Sequence, residues 1–358
     1  MKVGLLTFHC SQNYGATLQG YALQEVIKEL GHEVEIIDYR PGFLVYPLYP
    51  RYLVVTRNIP KLIEHIFYAT LSGLKRRRVF NHFIQERFSL SKSINKKFLP
   101  EPYDAIVIGS DQIWNLGITK GDTKYFADFR GEKGKRKYIA YAASMETQSL
   151  SHEKEEICKR CIPLFDSIGV RESNLIQLIQ PFTKTKLEHV VDPALLVNPQ
   201  LWERLAVKPP KTNYVLFYQV RHHTLARNYA EKVAKLYDAE LVEIACTPKV
   251  ERENGITVLH ETSPEEFLGW IKYATCVVTS SYHGLIFSLV FKRDLYSLRL
   301  GDGADSRSSL LLKQMGVQVN EVNPDTLPVK KSIDYSKVCE TIYREQHNSL
   351  NHLQNFLA

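Results

Sequence analysis

The segment Ser-Ser-Tyr-His-Gly at residues 280–284 carries the clearest chemical potential in the sequence. It follows residues 276–279, which predict a strand, and it leads into a predicted helix. A turn of this kind presents free backbone N–H groups at a helix N-terminus, a place that favours phosphate or carboxylate. Beside Ser281 and Gly284, His283 could donate a proton or hold an anion. Capping the turn, or packing under the sheet, explains the histidine equally well.

Polar residues and one glycine also follow the other predicted strands. They are Asn13, Tyr14, Gly109, Ser110, Asp111, Gln112, Ser144, Arg171, Glu172 and Asp192. Because ligands of open α/β sheets bind at the carboxyl ends of the strands, these residues are candidates for a binding site. A guanidinium at Arg171 could bind a carboxylate or phosphate through two N–H groups, and an ion pair with a neighbour such as Glu172 is the simpler alternative. Asp111 and Asp192 are also typical of helix N-caps.

The elements that must position these residues alternate between strand and helix, which predicts an α/β fold with two Rossmann-like domains facing a cleft. Strands are predicted at residues 3–8, 34–37, 105–108, 137–142, 167–170 and 189–191, and in a second series at 214–218, 241–244, 276–279 and 295–298. We therefore expect an N-terminal domain at 1–196 and a C-terminal domain at 197–334. The helix at 335–358 is expected to return and complete the first domain.

A basic segment at about 51–97 interrupts this alternation and predicts a helical insertion in the first domain. The formal net charge of the chain is +7, and eleven Lys or Arg against two Glu give this segment alone +9. Its aromatic residues follow helical spacing, so we expect them to face a core, and the basic run at 75–78 predicts a solvated face. Peripheral contact with an anionic membrane surface or a lipid-linked substrate is the second interpretation. Nucleic acid ranks last, and we predict no nucleic-acid partner.

Composition and missing motifs exclude several classes of protein. With 44% hydrophobic and 24% charged residues, the chain is globular rather than disordered or fibrous. Six scattered cysteines and an N-terminus without a signal segment predict a reduced, cytoplasmic protein, and no metal-ligand spacing is present. The sequence lacks GxGxxG, GxSxG, HExxH and Walker motifs, so nicotinamide dehydrogenases, serine hydrolases, metalloproteases and kinases lose support.

The string GSDQIWN at residues 109–115 resembles a motif of the polysaccharide pyruvyl transferases. The segments at 13–15, 142–144, 170–172, 191–193 and 281–284 occur in the family's order, so the similarity spans about residues 3–312. The resemblance implies a GT-B-like fold and transfer of the pyruvyl group of phosphoenolpyruvate (PEP) onto two hydroxyls of a sugar. The products are a cyclic ketal and phosphate. It implies no cofactor besides PEP, the donor substrate, and it implies a place in cell-surface polysaccharide or exopolysaccharide biosynthesis.

The resemblance also implies roles for individual residues. It assigns catalysis to His283 and PEP binding to Arg171, with Arg299 or Arg307 as a second cation. Our hypothesis gives His283 the proton transfer, and it gives Asp111 or Glu172 the task of orienting or deprotonating the sugar hydroxyls. The substrate-binding candidates are Arg171, Ser281, Gly284, Asn13, Tyr14, Gly109, Ser110, Gln112, Ser144 and Arg307.

Two other functions fit the same sequence. A GT-B glycosyltransferase that uses a nucleotide-sugar donor shares the fold, so the fold alone does not decide between the two enzymes. A non-catalytic saccharide-binding module could keep the fold as well. For the pyruvyl transferase, a lipid-linked and a polymeric acceptor both stay open. The expected location is the cytoplasm, at the inner face of the cytoplasmic membrane.

Overall fold

The computed structural model describes residues 1–45, 59–94, 103–128, 136–220, 222–245, 256–301 and 305–358. The chain divides into two compact units: the first contains Met1–Tyr46, Ile84–Asn198 and Ile342–Ala358, and the second contains Pro47–Phe83 and Pro199–Thr341. The domain boundaries predicted from the sequence stay a prediction, because compactness does not show which segments fold on their own. Within the described ranges, no helix is both long and apolar enough to cross a membrane.

The strands of the described residues form two parallel six-stranded sheets, one in each unit. In the first unit they are β1 (Lys2–Leu6), β2 (Glu33–Ile36), β3 (Ala105–Asp111), β4 (Lys137–Ala143), β5 (Ser167–Val170) and β6 (Leu187–His189). In the second unit they are β7 (Tyr214–Gln219), β8 (Glu240–Ala245), β9 (Thr257–Leu259), β10 (Cys276–Thr279), β11 (Leu295–Leu298) and β12 (Glu321–Val322). The predicted α/β fold class is confirmed.

Helices lie between most of these strands along the chain, as is usual for parallel pairing. They are α1 (Tyr14–Glu29), α2 (Gly42–Val45), α3 (Ile59–Arg87), α4 (Leu116–Thr119), α5 (His152–Cys161), α6 (Asn174–Ile179), α7 (Pro193–Leu196), α8 (Pro199–Leu205), α9 (Thr224–Tyr237), α10 (Pro264–Lys272), α11 (Tyr282–Val290), α12 (Asp305–Gln314) and α13 (Tyr335–Leu357). Both α3 and α13 begin in the second unit and end in the first.

The first sheet has the spatial order β2-β1-β3-β4-β5-β6. Since β2 lies on one side of β1 and β3 on the other, the strand order reverses between β1 and β3, and open sheets bind ligands at such a point. The parallel register places Asp111 beside Ala143, and Ala143 beside Val170. The residues that follow β3, β4 and β5 therefore come to the same edge of the sheet.

The second sheet has the order β12-β11-β10-β7-β8-β9. Counted from its own first strand, β7, this is the order of the doubly wound dinucleotide-binding fold. The order reverses between β7 and β10, and α11 starts directly after β10. His283 therefore lies at the position where this topology binds its ligands.

Most strands lie close to the predicted residues, and β5, β10 and β11 match them fully. The strand predicted at 189–191 is wrong, because β6 ends at His189. Val190 and Val191 are apolar because they are buried where the chain enters α7, not because they pair in the sheet. The edge strands β9 and β12 were not predicted, since three and two residues carry too little alternation to detect.

The basic segment is helical where the structure describes it. Residues 59–87 form α3, whereas residues 51–58 and 95–97 lie outside the described residues. Phe80, Phe83 and Phe88 are buried, so the prediction that such aromatics face a core is confirmed for these three.

The basic run at 75–78 was predicted to be solvated, and this prediction is wrong for one residue. Lys75, Arg77 and Arg78 are exposed, but Arg76 is buried. Its Nη1 donates a hydrogen bond to the carbonyl oxygen of His260 at 3.1 Å, and its guanidinium lies 4.9 Å from the centroid of the Phe80 ring. Hydrogen bonding and the aromatic face together offset the cost of burying the charge.

Candidate active site

At the carboxyl edge of the first sheet, a buried arginine joins two carboxylates. The Arg171 side chain is only 2% exposed. Its Nη1 donates to Asp192 Oδ2 at 2.9 Å, and its Nη2 lies 3.5 Å from Asp111 Oδ1. The ion pair considered for Arg171 from the sequence is therefore present, but its partners are Asp192 and Asp111 rather than Glu172. This arrangement fixes the carboxylate of Asp111 at the strand end.

The two aspartates differ in their backbone roles. Asp192 caps α7, because its Oδ1 accepts a hydrogen bond from the N–H of Ala194 at 3.0 Å, as the N-cap prediction requires. Asp111 instead ends β3 with a φ of 75°. A residue with a side chain pays about 1–3 kcal/mol for such a conformation, which is typical of residues whose position serves a site.

Ser144 and Glu172 form a second buried pair at this edge. The hydroxyl of Ser144 donates to Glu172 Oε1 at 2.5 Å. Glu172 Oε2 is also buried, and it has no hydrogen-bond partner among the described residues. A buried carboxylate oxygen without a donor is costly. A hydroxyl group of a substrate is the kind of donor that would satisfy it.

Gly109 and Ser110 hold the turn that carries this edge. A Cβ on Gly109 would lie 1.9 Å from the carbonyl oxygen of Tyr141, so only glycine lets the chain pass here. Ser110 is fully buried. Its hydroxyl donates to the carbonyl of Ala142 at 3.1 Å, and its N–H donates to Gln19 Oε1 at 3.2 Å. These contacts tie β3 to β4 and to α1.

Three further candidates of the first unit also make contacts within the protein. Asn13 caps α1, with its side chain accepting from the N–H of Ala16 at 3.2 Å, and Tyr14 is fully buried behind it. Gln112 Oε1 accepts from Asn115 Nδ2 at 2.8 Å. That these three residues contact a substrate stays a prediction. The same holds for Gly109 and Ser110.

In the second unit, Ser281 fixes the start of α11. Its Oγ accepts from the N–H of Gly284 at 3.3 Å, and its own N–H donates to Thr279 Oγ1 at 3.0 Å. The Thr279 hydroxyl in turn donates to the carbonyl of Tyr218 at 2.7 Å. A Cβ on Gly284 would lie 2.4 Å from Thr279 Oγ1, so glycine is needed for this close approach. The N-terminus of α11 is thereby held at the end of β10, where its dipole favours an anion.

His283 and Arg307 meet at one aromatic side chain. His283 is 7% exposed, and its ring lies edge-on to that of Tyr282 with centroids 5.4 Å apart. Arg307, in the first turn of α12, is 8% exposed, and its guanidinium carbon lies 5.6 Å from the centroid of the same Tyr282 ring. Arg299, the other cation considered, is exposed after β11. The structure therefore places Arg307, and not Arg299, in a buried position near His283.

A buried histidine that was not predicted as a site residue follows β1. His9 Nε2 lies 2.9 Å from Asp38 Oδ1, and Arg40 Nε donates to the same oxygen at 2.6 Å. Burial by itself raises the pKa of Asp38, but the hydrogen bonds from His9 and Arg40 prevail and lower it below its ordinary value. The sequence could have indicated this pair, because His9 and Asp38 each follow directly after a predicted strand.

A second group that was not predicted supports the turn after β7. Arg227 Nε donates to Glu243 Oε2 at 2.8 Å, and Gln219 Nε2 donates to Glu243 Oε1 at 3.1 Å. Gln219 Oε1 accepts from the N–H of His223 at 3.0 Å. All three side chains of this network are buried. The sequence could have indicated this network, because Glu243 is a charged residue within the otherwise apolar strand predicted at 241–244.

The cysteines of the described ranges are free thiols, and most of them are buried. Burial raises the pKa of Cys10 and of Cys158 to about 12, so neither is a ready nucleophile. Cys246 lies outside the described residues. Within the described part of the chain, no group of three or more His, Cys, Asp or Glu side chains is arranged to hold a metal ion.

Comparison with solved structures shows the fold. UGT89C1 of Arabidopsis thaliana aligns over 98% of both chains, with a TM-score of 0.51 and 10% identity. UDP-GlcNAc 2-epimerase of Methanocaldococcus jannaschii aligns over 96% of this chain and 92% of its own, with a TM-score of 0.47 and 10% identity. The likeness to UGT89C1 confirms the GT-B-like α/β fold. A comparison with curated proteins gave no match.

Comparison with protein families gives a more specific result. The family described as polysaccharide pyruvyl transferase matches residues 13–295. This range contains the GSDQIWN string, the turn at 280–284 and every candidate residue except Arg299 and Arg307. A match over most of the chain agrees with the resemblance seen in the motifs. The chain belongs to the polysaccharide pyruvyl transferase family.

Proposed function

We propose that this protein transfers the pyruvyl group of PEP onto two hydroxyls of a sugar, forming a cyclic ketal. Membership of the family supports a transferase with a glycan acceptor. The observation that carries the finer proposal is that His283 and Arg307, both buried, contact the half-buried Tyr282 at the N-terminus of α11. PEP has a carboxylate, a phosphate and a methylene carbon that must be protonated. A cation, free backbone N–H groups and a proton donor are the groups it requires.

The second unit supplies the donor site in this proposal. The guanidinium of Arg307 binds an anionic group of PEP through parallel N–H groups, and the N-terminus of α11 binds another. Hydrogen bonds to charged groups contribute about 1.5–3 kcal/mol each. Ser281 and Gly284 act indirectly, because they fix the helix start toward which the anion is drawn.

His283 delivers the proton in the proposed reaction. Protonation of the methylene carbon turns the neighbouring carbon of PEP into an oxocarbenium-like centre, which one sugar hydroxyl attacks. The second hydroxyl then attacks the same carbon, and the bond between that carbon and the phosphate oxygen breaks. Two protons leave the sugar hydroxyls: one replaces the proton given to the methylene carbon, and the other leaves with phosphate. General acid–base catalysis of this kind contributes roughly 10²–10⁴-fold.

The first unit supplies the carboxylates for the acceptor. Glu172 presents a buried oxygen with no partner among the described residues, so it is the better general base for a sugar hydroxyl. Asp111 is held by Arg171 and is better suited to accept a hydrogen bond from the second hydroxyl. On this assignment, Arg171 positions Asp111 and Asp192. Its direct contact with PEP, implied by the family resemblance, stays a prediction.

The acceptor is proposed to be a precursor of a cell-surface polysaccharide, either lipid-linked or polymeric. The enzyme then works in the cytoplasm at the inner face of the membrane. Exposed cations on α3, among them Arg77 and Arg78, support contact with an anionic lipid surface. The buried Arg76 takes no part in that contact, because its guanidinium is bound within the second unit.

Calorimetric titration of PEP tests the donor site without any acceptor. Arg307→Met is expected to weaken PEP binding about 10–100-fold, which corresponds to the loss of one charged hydrogen-bonding group. Arg299→Met is the matched control, since it removes an exposed arginine of the same unit, and it should leave the affinity within about twofold. Absence of PEP binding together with clear binding of UDP-sugars would contradict the proposal and favour a glycosyltransferase.

The role of His283 needs a separate readout. Entry of deuterium from solvent water into the methylene group of PEP, followed by NMR, reports protonation of that carbon. His283→Gln is expected to slow this exchange about 10²–10⁴-fold while PEP binding stays near wild type. Exchange at an unchanged rate in His283→Gln would remove the histidine from the proton-transfer step. Loss of PEP binding instead would show that the histidine holds the substrate.

A further inference from the structure

A pocket in the second unit is built from residues that the proposed reaction does not use. Its volume is about 410 Å³, within the range of roughly 300–1,000 Å³ that is typical of small-ligand pockets. The edge strand β9, the residues that follow it up to Thr262, Glu266 and Trp270 of α10, and the loop at 207–210 line it. All of these belong to the same unit, so the site is complete within that unit.

The lining of this pocket has both apolar and polar parts. Pro209, Val258 and Trp270 provide apolar surface, whereas Lys208 and Thr262 provide donors and acceptors. A sugar ring has the same two characters, because its C–H groups pack on proline and aromatic side chains while its hydroxyls form hydrogen bonds. A hydrocarbon chain would leave the polar groups without partners, at a cost in binding.

The charges around the pocket favour an uncharged ligand. Glu261 Oε2 lies 3.3 Å from Lys75 Nζ, so its charge is already balanced by a cation of α3. Glu266 Oε2 accepts a hydrogen bond from the N–H of Ser263 at 2.8 Å as part of the cap of α10. Carboxylates held in this way keep free lone pairs that can accept from hydroxyls. With Lys75 counted, these two carboxylates are matched by two ammonium groups, Lys75 and the lining residue Lys208, so the pocket has no excess charge that would select an ionic ligand.

The walls of the pocket are held by backbone contacts. The N–H of Val207 donates to the carbonyl of Glu265 at 3.1 Å, and the carbonyl of Trp270 accepts from Tyr214 Oη at 2.8 Å. A Cβ on Gly269 would lie 1.6 Å from the carbonyl oxygen of Val207, so α10 and the loop are as close as backbones allow. Because the site is formed in advance, a ligand pays little to order it.

We propose that this pocket binds an uncharged sugar unit of the acceptor glycan, beyond the unit that receives the pyruvyl group. The identification of the ligand as part of the acceptor rests on the proposed function. The prediction that the pocket binds a sugar does not. The helix that lines the pocket also packs on the helix of His283: Phe267 of α10 meets Phe287 of α11 edge to face, with centroids 6.1 Å apart. The acceptor is thus recognised through more than the reacting sugar.

Saturation-transfer NMR with the methyl glycosides of glucose, galactose, mannose and N-acetylglucosamine tests the pocket at millimolar concentration. Wild type is expected to bind at least one of them. Val258→Phe, which fills the pocket, should weaken that binding at least about tenfold, and Lys208→Ala should weaken it about threefold or more. The matched controls are Val329→Phe and Lys211→Ala, which change an exposed valine and a lysine outside the pocket, and both should bind as wild type does.

PEP titration of the same variants separates this proposal from the proposed function. Val258→Phe should bind PEP within about twofold of wild type, which also shows that it is folded. PEP binding without binding of any glycoside would overturn the pocket proposal and leave the pyruvyl transferase standing. Glycoside binding that survives Val258→Phe, or binding of uridine or adenosine instead of glycosides, would also overturn it. Glycoside binding at the pocket in a protein that does not bind PEP would overturn its assignment to a pyruvyl acceptor.

Discussion

The two strand-end sites differ in the kind of charged groups that they bring together. In the first unit, Arg171 is bound by Asp192 and Asp111, and Ser144 holds one oxygen of Glu172. In the second unit, His283 and Arg307 both contact Tyr282 at the start of α11, whose first turn has no acidic residue. The first site offers fixed carboxylates, which suit hydroxyl groups, whereas the second offers positive potential, which suits an anion.

This difference shows that burial alone does not reveal what an arginine does. Counted over the whole residue, side chain and backbone together, Arg171 is 5% exposed and Arg307 is 8% exposed, so the two are almost equally buried. Arg171 contacts two carboxylates, whereas Arg307 contacts the face of a tyrosine. Arg171 balances the buried charge of Asp192, whereas Arg307 stacks on the residue that precedes His283. We therefore expect the first arginine to matter mainly for stability and the second mainly for binding.

The largest effect is expected from Arg171→Met. The substitution leaves Asp192 buried without its cation, so the free energy of unfolding should fall by about 3–5 kcal/mol. Urea unfolding measures it, and Arg299→Met, which changes an exposed residue, should stay within about 0.5 kcal/mol of wild type. A variant as stable as wild type that no longer binds PEP would reverse the comparison and make Arg171 a substrate ligand.

Glu172→Gln is expected to have a smaller effect of the opposite kind: it should lower turnover but not stability. The amide keeps the shape but removes the buried charge that lacks a full set of partners, so stability should stay the same or rise by up to about 1 kcal/mol. Turnover with a glycan acceptor, followed by phosphate release, should fall about 10²-fold or more, because the general base is lost. Ser144→Ala serves as the comparison variant, since it removes the donor to Glu172 but keeps the carboxylate. Unchanged turnover in Glu172→Gln would shift the base assignment to Asp111.

The smallest effect concerns acid sensitivity of the first unit. Burial lowers the pKa of His352 below its ordinary value, and the nearby Glu188 only partly opposes this. The folded protein therefore keeps the imidazole neutral, whereas the unfolded chain binds a proton below about pH 6.5. This contribution to stability is present above that pH and is lost as the pH falls toward the lowered pKa. His352→Gln should flatten the fall in unfolding free energy between about pH 6.5 and pH 5.

The control for this last prediction lies in the same unit. Burial also lowers the pKa of His189, so His352→Gln should reduce the acid sensitivity without abolishing it, and the double variant with His189→Gln should reduce it further. His347→Gln, on the exposed part of the same helix, should have the wild-type pH profile. An equally steep fall in His352→Gln would show that other groups govern the acid response.

Much of the fold follows from local sequence pattern, and the sites follow only in part. Apolar runs such as β5 and β10 are visible because parallel strands are buried on both faces. The strand ends then place Asp111, Arg171 and His283 at sheet edges without any further information. What stays invisible is which side chains meet: Arg171 finds Asp111 across 60 positions of sequence, and no local pattern records that distance.

The choice between Arg299 and Arg307 shows the same limit in another form. Both lie near the end of β11 in sequence, and only the direction of α12 decides which of them reaches Tyr282. The buried Arg76 is a similar case, because its partner, the carbonyl of His260, is 184 positions away. Charge and spacing identify a basic run in the sequence, but tertiary packing determines which of its residues is buried.

The discontinuous make-up of the first unit has a consequence for synthesis of the chain. Its last stretch supplies Ser349 Oγ, which accepts from the N–H of Val191 at 3.0 Å, and His352, which meets Ser167 Oγ at 3.1 Å. These partners leave the ribosome only after the whole second unit has been translated, about 7–30 s later at roughly 5–20 residues per second. During that interval β5 and β6 lack the helix that packs on them, while the second unit can already fold. The nascent first unit is therefore the part of this enzyme that a chaperone would have to shield.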